Sequence, residues 1–111
     1  MKKTQDVFER HMRAVDTLNA SNVAEDYSDD ALFSTPEKTY RGKSEILEFY
    51  TGFLPSFEGF QFHTIKQETN GKVVYFVWNG KNEHIDIQLA TDTYIIENGK
   101  IQQHTFAAVN N

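Results

Sequence analysis

Three Asn-Gly pairs, Asn70-Gly71, Asn79-Gly80 and Asn98-Gly99, punctuate the C-terminal half of the chain, each between segments rich in Val, Ile, Thr, Tyr and Phe. Asn-Gly tolerates the positive φ angles of the tight turns that join antiparallel neighbours. Three such turns predict four strands in series over residues 60–69, 72–78, 81–97 and 100–109, a meander. The third segment is long for a strand, so it is expected to bend or to carry a bulge that curves the sheet.

The N-terminal half has a different period. Phe8, Met12, Val15 and Leu18 recur at helical spacing, with Thr4 placed to cap and Asp6 in the first turn. Asn22-Val23-Ala24-Glu25 resembles a capping box and predicts a second, short helix through Tyr27. Ala31-Leu32-Phe33 is a short apolar strand, and Pro36 marks a turn before Thr39-Tyr40. Gly42 precedes a third helix in which Ile46, Tyr50 and Phe53 share a face, and Pro55 forbids much extension. The expected class is therefore α+β, with three N-terminal helices packed on one face of a curved antiparallel sheet. No repeat, linker or low-complexity stretch divides the 111 residues, so 1–111 reads as a single domain.

Nine Phe, five Tyr and one Trp are an unusual load of aromatics for this length, suited to a core or to the walls of a cavity. With no Cys, neither a disulfide nor a thiolate metal site is available. The net charge of −5 argues against a nucleic-acid partner, and Lys2 with Lys3 does not supply the clustered basic surface one needs. No apolar run approaches the ~20 residues that span a bilayer, and the N-terminus lacks the apolar stretch of a signal peptide. The expectation is no membrane contact and a cytoplasmic location.

This order of elements, with three local strings, resembles the nuclear transport factor 2-like superfamily and, within it, the SnoaL-like branch. The strings are Tyr27-Ser28-Asp29-Asp30-Ala31-Leu32-Phe33, then Tyr40-Arg41-Gly42-Lys43 leading into a helix, and Asp92-Thr93-Tyr94 followed by Gly99-Lys100-Ile101 and His104. The resemblance covers about Val7 to Val109. It implies a cone-shaped half-barrel closed by helices on its wide side, often dimeric and often holding an apolar pocket. Members include isomerases, polyketide cyclases, dehydratases, epoxide hydrolases and non-catalytic domains, so the fold does not determine the function. Phe33, Tyr40, Tyr50, Phe53, Trp78, Tyr94 and Phe106 are the expected pocket-lining residues.

Asp92 is the leading chemical candidate, because strand interiors disfavour Asp. The resemblance implies that an acid at this position projects into the pocket as a base or hydrogen-bond donor; the competing reading is a solvent-facing or backbone-bonded Asp. His104 follows on the last strand, where the family pattern pairs a His with the strand acid, and a structural role is the alternative. Several family features are missing. Thr105 and Phe106 stand where an aromatic and an acid usually follow, and Thr35 stands where ketosteroid isomerases place their proton-abstracting Asp. The first helix lacks their Tyr, and Arg10, Arg13 and Arg41 all lie outside the meander, against the epoxide-hydrolase pattern.

His84-Ile85-Asp86 puts two possible metal ligands on one strand face without a third, so no metal is expected, and no cofactor motif occurs. His11 and His63 carry no signal beyond packing or surface, and Asp29-Asp30 reads as a turn cluster. Ile85, Ile87 and Leu89 form an apolar stripe. It faces outward and favours a homodimer unless a bulge between Leu89 and Asp92 returns it to the core.

The favoured function is a domain that binds a small apolar ligand. The alternative is a cofactor-independent isomerase, cyclase or dehydratase acting on a small carbonyl compound. There Asp92 would be the acid-base group, assisted by His104 and by Tyr94 or Tyr50.

Overall fold

A computed structural model describes residues 3–110, so Lys2 lies outside the described residues. In chain order the elements are α1 (Thr4–Asp16), α2 (Ala20–Glu25), β1 (Tyr27–Ser34), β2 (Thr39–Arg41) and α3 (Gly42–Phe53). A 3-10 turn (Leu54–Phe57) follows, then β3 (Gln61–Asn70), β4 (Val73–Lys81), β5 (Asp86–Glu97) and β6 (Lys100–Asn110).

The buried side of α1 is Val7, Phe8, His11 and Ala14, one stripe at helical period with a histidine in its middle. Two of the predicted caps shift. Thr4 is already helical, behind Lys3 as N-cap, and makes no cap bond; α2 is capped by Asn19, whose side chain accepts the Asn22 N–H at 3.0 Å. The box at Asn22–Glu25 therefore lies inside the short helix, and Tyr27 opens β1. Gly42 starts α3 at φ +84°, with a Cβ there only 3.3 Å from the Asp29 carbonyl oxygen, and Glu45 Oε1 accepts the Arg41 N–H at 2.9 Å. Pro55 converts the helix end into the 3-10 turn.

Two of the three Asn-Gly pairs turn the chain. Asn98 and Gly99 both have positive φ, 56° and 75°, between the paired residues Glu97 and Lys100, and Gly71 at φ 61° opens the β3–β4 turn. Asn79-Gly80 does not turn, because β4 runs through it to Lys81. A Cβ on Gly80 would lie 2.3 Å from the Gln61 carbonyl oxygen and 2.4 Å from the Phe60 ring, so glycine is required there for close approach. The turn falls instead at 82–85, where Asn82 Oδ1 accepts the backbone N–H groups of His84 (2.9 Å) and Ile85 (2.7 Å). As a result β5 begins at Asp86, and His84 and Asp86 do not share a strand face.

The sheet order is β2-β1-β6-β5-β4-β3, with β3 to β6 an antiparallel meander. β1 pairs with β2 antiparallel but with β6 parallel, so the six-stranded sheet is mixed and open. Register breaks at Thr64/Lys66, Trp78/Gly80, Ile87/Leu89 and Ile95/Ile96 bend the long strands. Val74, Phe76 and Trp78 of β4, with Asp92, Tyr94 and Ile96 of β5, form the buried face against the helices. The Ile87/Leu89 break splits the apolar stripe: Ile87 is buried, while Leu89 is 44% exposed beside its cross-strand partner Val109 at 55%. Asp29 and Asp30 are exposed on β1, where its register with β6 breaks, and Asp29 faces Lys43 at 3.5 Å. No helix among the described residues is long and apolar enough to cross a membrane.

Candidate functional site

Residue 92 of β5 sits opposite Phe76 of β4 and Phe106 of β6, in the middle of the meander and on its buried face. A carboxylate placed there must find donors within the protein. Asp92 finds two: Trp78 Nε1–H donates to Oδ2 at 2.7 Å, and His104 Nε2 lies 2.6 Å from Oδ1. The other ring nitrogen of His104, Nδ1, lies 2.7 Å from the hydroxyl of Tyr27, which lies 3.0 Å from the hydroxyl of Tyr50. Five residues from β4, β5, β6, β1 and α3 thus form one buried chain of hydrogen bonds.

Valence sets its direction. The indole only donates and the carboxylate only accepts, so a neutral His104 gives its Nε2 proton to Asp92 and takes the Tyr27 proton at Nδ1. Tyr27 then accepts from Tyr50. The imidazole is held flat between Tyr94 and Phe33, with ring centroids 4.0 and 4.5 Å away. Burial pushes the His104 pKa down, and although the Asp92 hydrogen bond and charge pull it up, the balance stays below the ordinary histidine value. Burial likewise raises the phenols of Tyr27, Tyr50 and Tyr94, which stay protonated. One extra proton at the His104–Asp92 pair would reverse the chain: Nδ1–H would donate to Tyr27, Tyr27 to Tyr50, and the Tyr50 hydroxyl would be released.

Beside the chain lies a cavity of about 50 Å³. The structure brings Phe33, Tyr50, Phe53, Trp78, Asp92, Tyr94, His104 and Phe106 together on its wall. Tyr40, also expected there, packs behind Phe33 at 5.8 Å and does not reach the lining. Met12 and Val15 of α1, Phe49 and the Leu54–Phe57 turn, and Phe62 and Phe76 of the sheet complete the wall. The aromatic content largely fills the cone: a volume of this size holds only a few waters.

Sequence reasoning missed Tyr27 as a chain member and His11 as more than packing. His11 Nδ1 lies 3.1 Å from Asp26 Oδ2, and Arg10 Nε donates to Asp26 Oδ1 at 2.6 Å. Burial would raise the Asp26 carboxyl, but the hydrogen bonds and charges of His11 and then Arg10 outweigh it and hold it below the usual carboxylate value. The available signal was the position of His11 on the apolar stripe of α1, since a buried imidazole needs a partner.

The SnoaL-like domain model matches residues 8–104 of the chain. No curated protein matches. Among solved structures, a proposed ketosteroid isomerase from Kribbella flavida superposes with a TM-score of 0.81 at 12% identity, covering 97% of this chain and 78% of that one. A nuclear transport factor 2-like protein of unknown function from Cytophaga hutchinsonii gives 0.77 at 16%, covering 100% and 92%. A proposed polyketide cyclase from Sinorhizobium meliloti gives 0.74 at 13%, covering 91% and 93%. At these identities the likeness is one of fold, whereas the family match spans most of the sequence: the chain belongs to the SnoaL-like domain family.

Proposed function

We propose that this domain binds a small, mostly apolar molecule in the aromatic cavity, with the polar end of the ligand directed at the Asp92–His104 pair. The observation that carries this reading is the placement of a single carboxylate, oriented by an indole and an imidazole, on an otherwise aromatic and aliphatic wall. Ligand sites have this composition: apolar surface for affinity and a few fixed polar groups for orientation. A dry cavity that binds benzene is about 150 Å³, so a ring-sized ligand requires displacement of a wall side chain. The half-buried Phe49, Phe53 and Phe62 are the candidates to move. Trp78 is the only tryptophan and bonds to Asp92, so its fluorescence reports on the site. A panel of three- to six-carbon alcohols and ketones should give saturable changes that Val15→Phe, which fills the wall, abolishes. No saturable change with any of them would contradict the reading.

The hydrogen-bond chain supports a second reading, proton transfer on a small carbonyl compound by isomerase, cyclase or dehydratase chemistry with Asp92 as acid-base group. A chain that reverses on taking up one proton can carry a proton between the pair and the cavity. Exchange of ketone α-protons in deuterated buffer, faster with the wild type than with Asp92→Asn, tests it; equal rates would remove it.

A second copy of the chain is the proposed partner for the outer sheet face. Leu89, Val109 and Tyr75 are exposed there, and apolar surface of this kind favours association. Sedimentation should show a dimer that Leu89→Glu with Val109→Glu dissociates.

A further inference from the structure

We infer that the polar group recognised in the cavity is a hydroxyl, so that the ligand class is a compact alcohol or phenol rather than a carbonyl compound or a carboxylate. This rests on the binding reading above and adds the chemistry of the group it holds.

The protons of the chain are all accounted for. The Trp78 indole N–H and the His104 Nε2–H go to Asp92, the Tyr27 hydroxyl proton goes to His104 Nδ1, and the Tyr50 hydroxyl proton goes to Tyr27. Every donor in the chain is committed within the protein. What the chain leaves at the cavity are oxygen lone pairs, on Asp92 and on Tyr50, both of which line it. Tyr94 lines the same cavity and makes no side-chain hydrogen bond to another of the described residues, so its hydroxyl is free to donate. The wall therefore asks for a group that gives one hydrogen bond and takes one.

A hydroxyl does both. A ketone or aldehyde can only take, and it would displace solvent from the Asp92 and Tyr50 oxygens without replacing its hydrogen bonds, which is the costly half of the exchange. A carboxylate would set a second negative charge against Asp92, and the described residues of the wall include no Lys or Arg to offset it. Burial of His104 works in the same direction, since it keeps the imidazole neutral and the chain oriented away from the cavity.

Matched pairs test this at pH 7.5 with the Trp78 indole N–H resonance as readout: cyclopentanol against cyclopentanone, and 2-propanol against acetone. The alcohol of each pair should bind about fivefold to tenfold more tightly, the value of one net hydrogen bond, and cyclopentanecarboxylate should bind more weakly than either. Asp92→Asn should invert the order. The Asn side chain offers an N–H to His104 Nε2, which moves the imidazole proton to Nδ1 and turns the Tyr50 hydroxyl toward the cavity as a donor. Ketones that bind the wild type as tightly as their alcohols would overturn the hydroxyl assignment while leaving the binding reading intact. Failure of both members of every pair to bind would overturn the binding reading and the assignment with it. The wild-type comparison is decisive even if the Asn variant does not fold.

Discussion

Among the described residues are two buried His–Asp pairs with their imidazoles 6.4 Å apart, and they are built for different purposes. In His11–Asp26 the carboxylate is shared with Arg10, whose Nη2 reaches on to the Gly99 carbonyl oxygen at 3.4 Å, and the Asp26 carbonyl oxygen accepts the Ile101 N–H at 2.8 Å. That pair has a full counter-charge and ties α1 to the start of β6. In His104–Asp92 the carboxylate has only a neutral ring and an indole, and it faces a cavity. A compensated pair clamps structure, whereas an uncompensated pair keeps capacity for something that enters from outside. The same two residue types therefore do not imply the same role; the third partner decides it.

The contrast is sharpest when one carboxylate is deleted. Asp26→Ala leaves Arg10 and His11 without an acceptor and is expected to cost about 3 kcal/mol, toward the low end for breaking a buried pair because Arg10 is partly exposed. Urea unfolding checks this, and a loss below about 1 kcal/mol would deny Asp26 its role as a clamp. Tyr27→Phe removes the link between Tyr50 and His104 and should cost about 1–2 kcal/mol, the penalty for leaving the buried His104 Nδ1 unpaired, since Tyr50 lines the cavity. Asp92→Asn is expected to cost less, about 1 kcal/mol or below, since a change of His104 tautomer lets the amide keep both partners. An Asn variant at 92 that unfolds as readily as Asp26→Ala would erase the distinction between the pairs.

Acid should separate them more gradually. The Asp26 pKa is lowered in the fold, so its stabilisation is complete above the ordinary carboxyl value of 3.8 and is lost as pH falls through the lower folded value. The His104 pKa is also lowered, so between the ordinary 6.5 and its folded value the unfolded chain holds the extra proton and stability falls as pH drops. Stability profiles should show both limbs, with His104→Gln flattening the one that begins near 6.5 and Asp26→Asn the one below 3.8. A profile of His104→Gln that overlays the wild type across the upper window would mean that His104 does not titrate differently on folding.

The sequence was most legible where the signal is local. Asn98-Gly99 needs positive φ and marks a turn, and the Phe8–Met12–Val15 spacing marks a helix. Asn79-Gly80 misled because glycine serves both positive φ and close approach, and only the neighbouring Phe60 and Gln61 tell the two apart. The parallel β1–β6 pair joins residues such as Phe33 and His104, so no local pattern encodes it. Asp92 stood out as a carboxylate inside a strand and His104 through the family pattern that pairs it with that acid, and both line the cavity wall. Tyr27 and His11 did not stand out, because their partners lie 77 and 15 residues away and exist only once the fold has formed.

The hydrogen-bond chain runs in one direction, from Tyr50 through Tyr27 and His104 to Asp92, and the protonation of one ring reports it. Side-chain ¹⁵N NMR of His104 at pH 7 should show a neutral imidazole with the proton on Nε2 and a bare Nδ1 accepting from Tyr27. An imidazolium, or a neutral ring protonated at Nδ1, would place the opposite polarity at the cavity and rule out this direction.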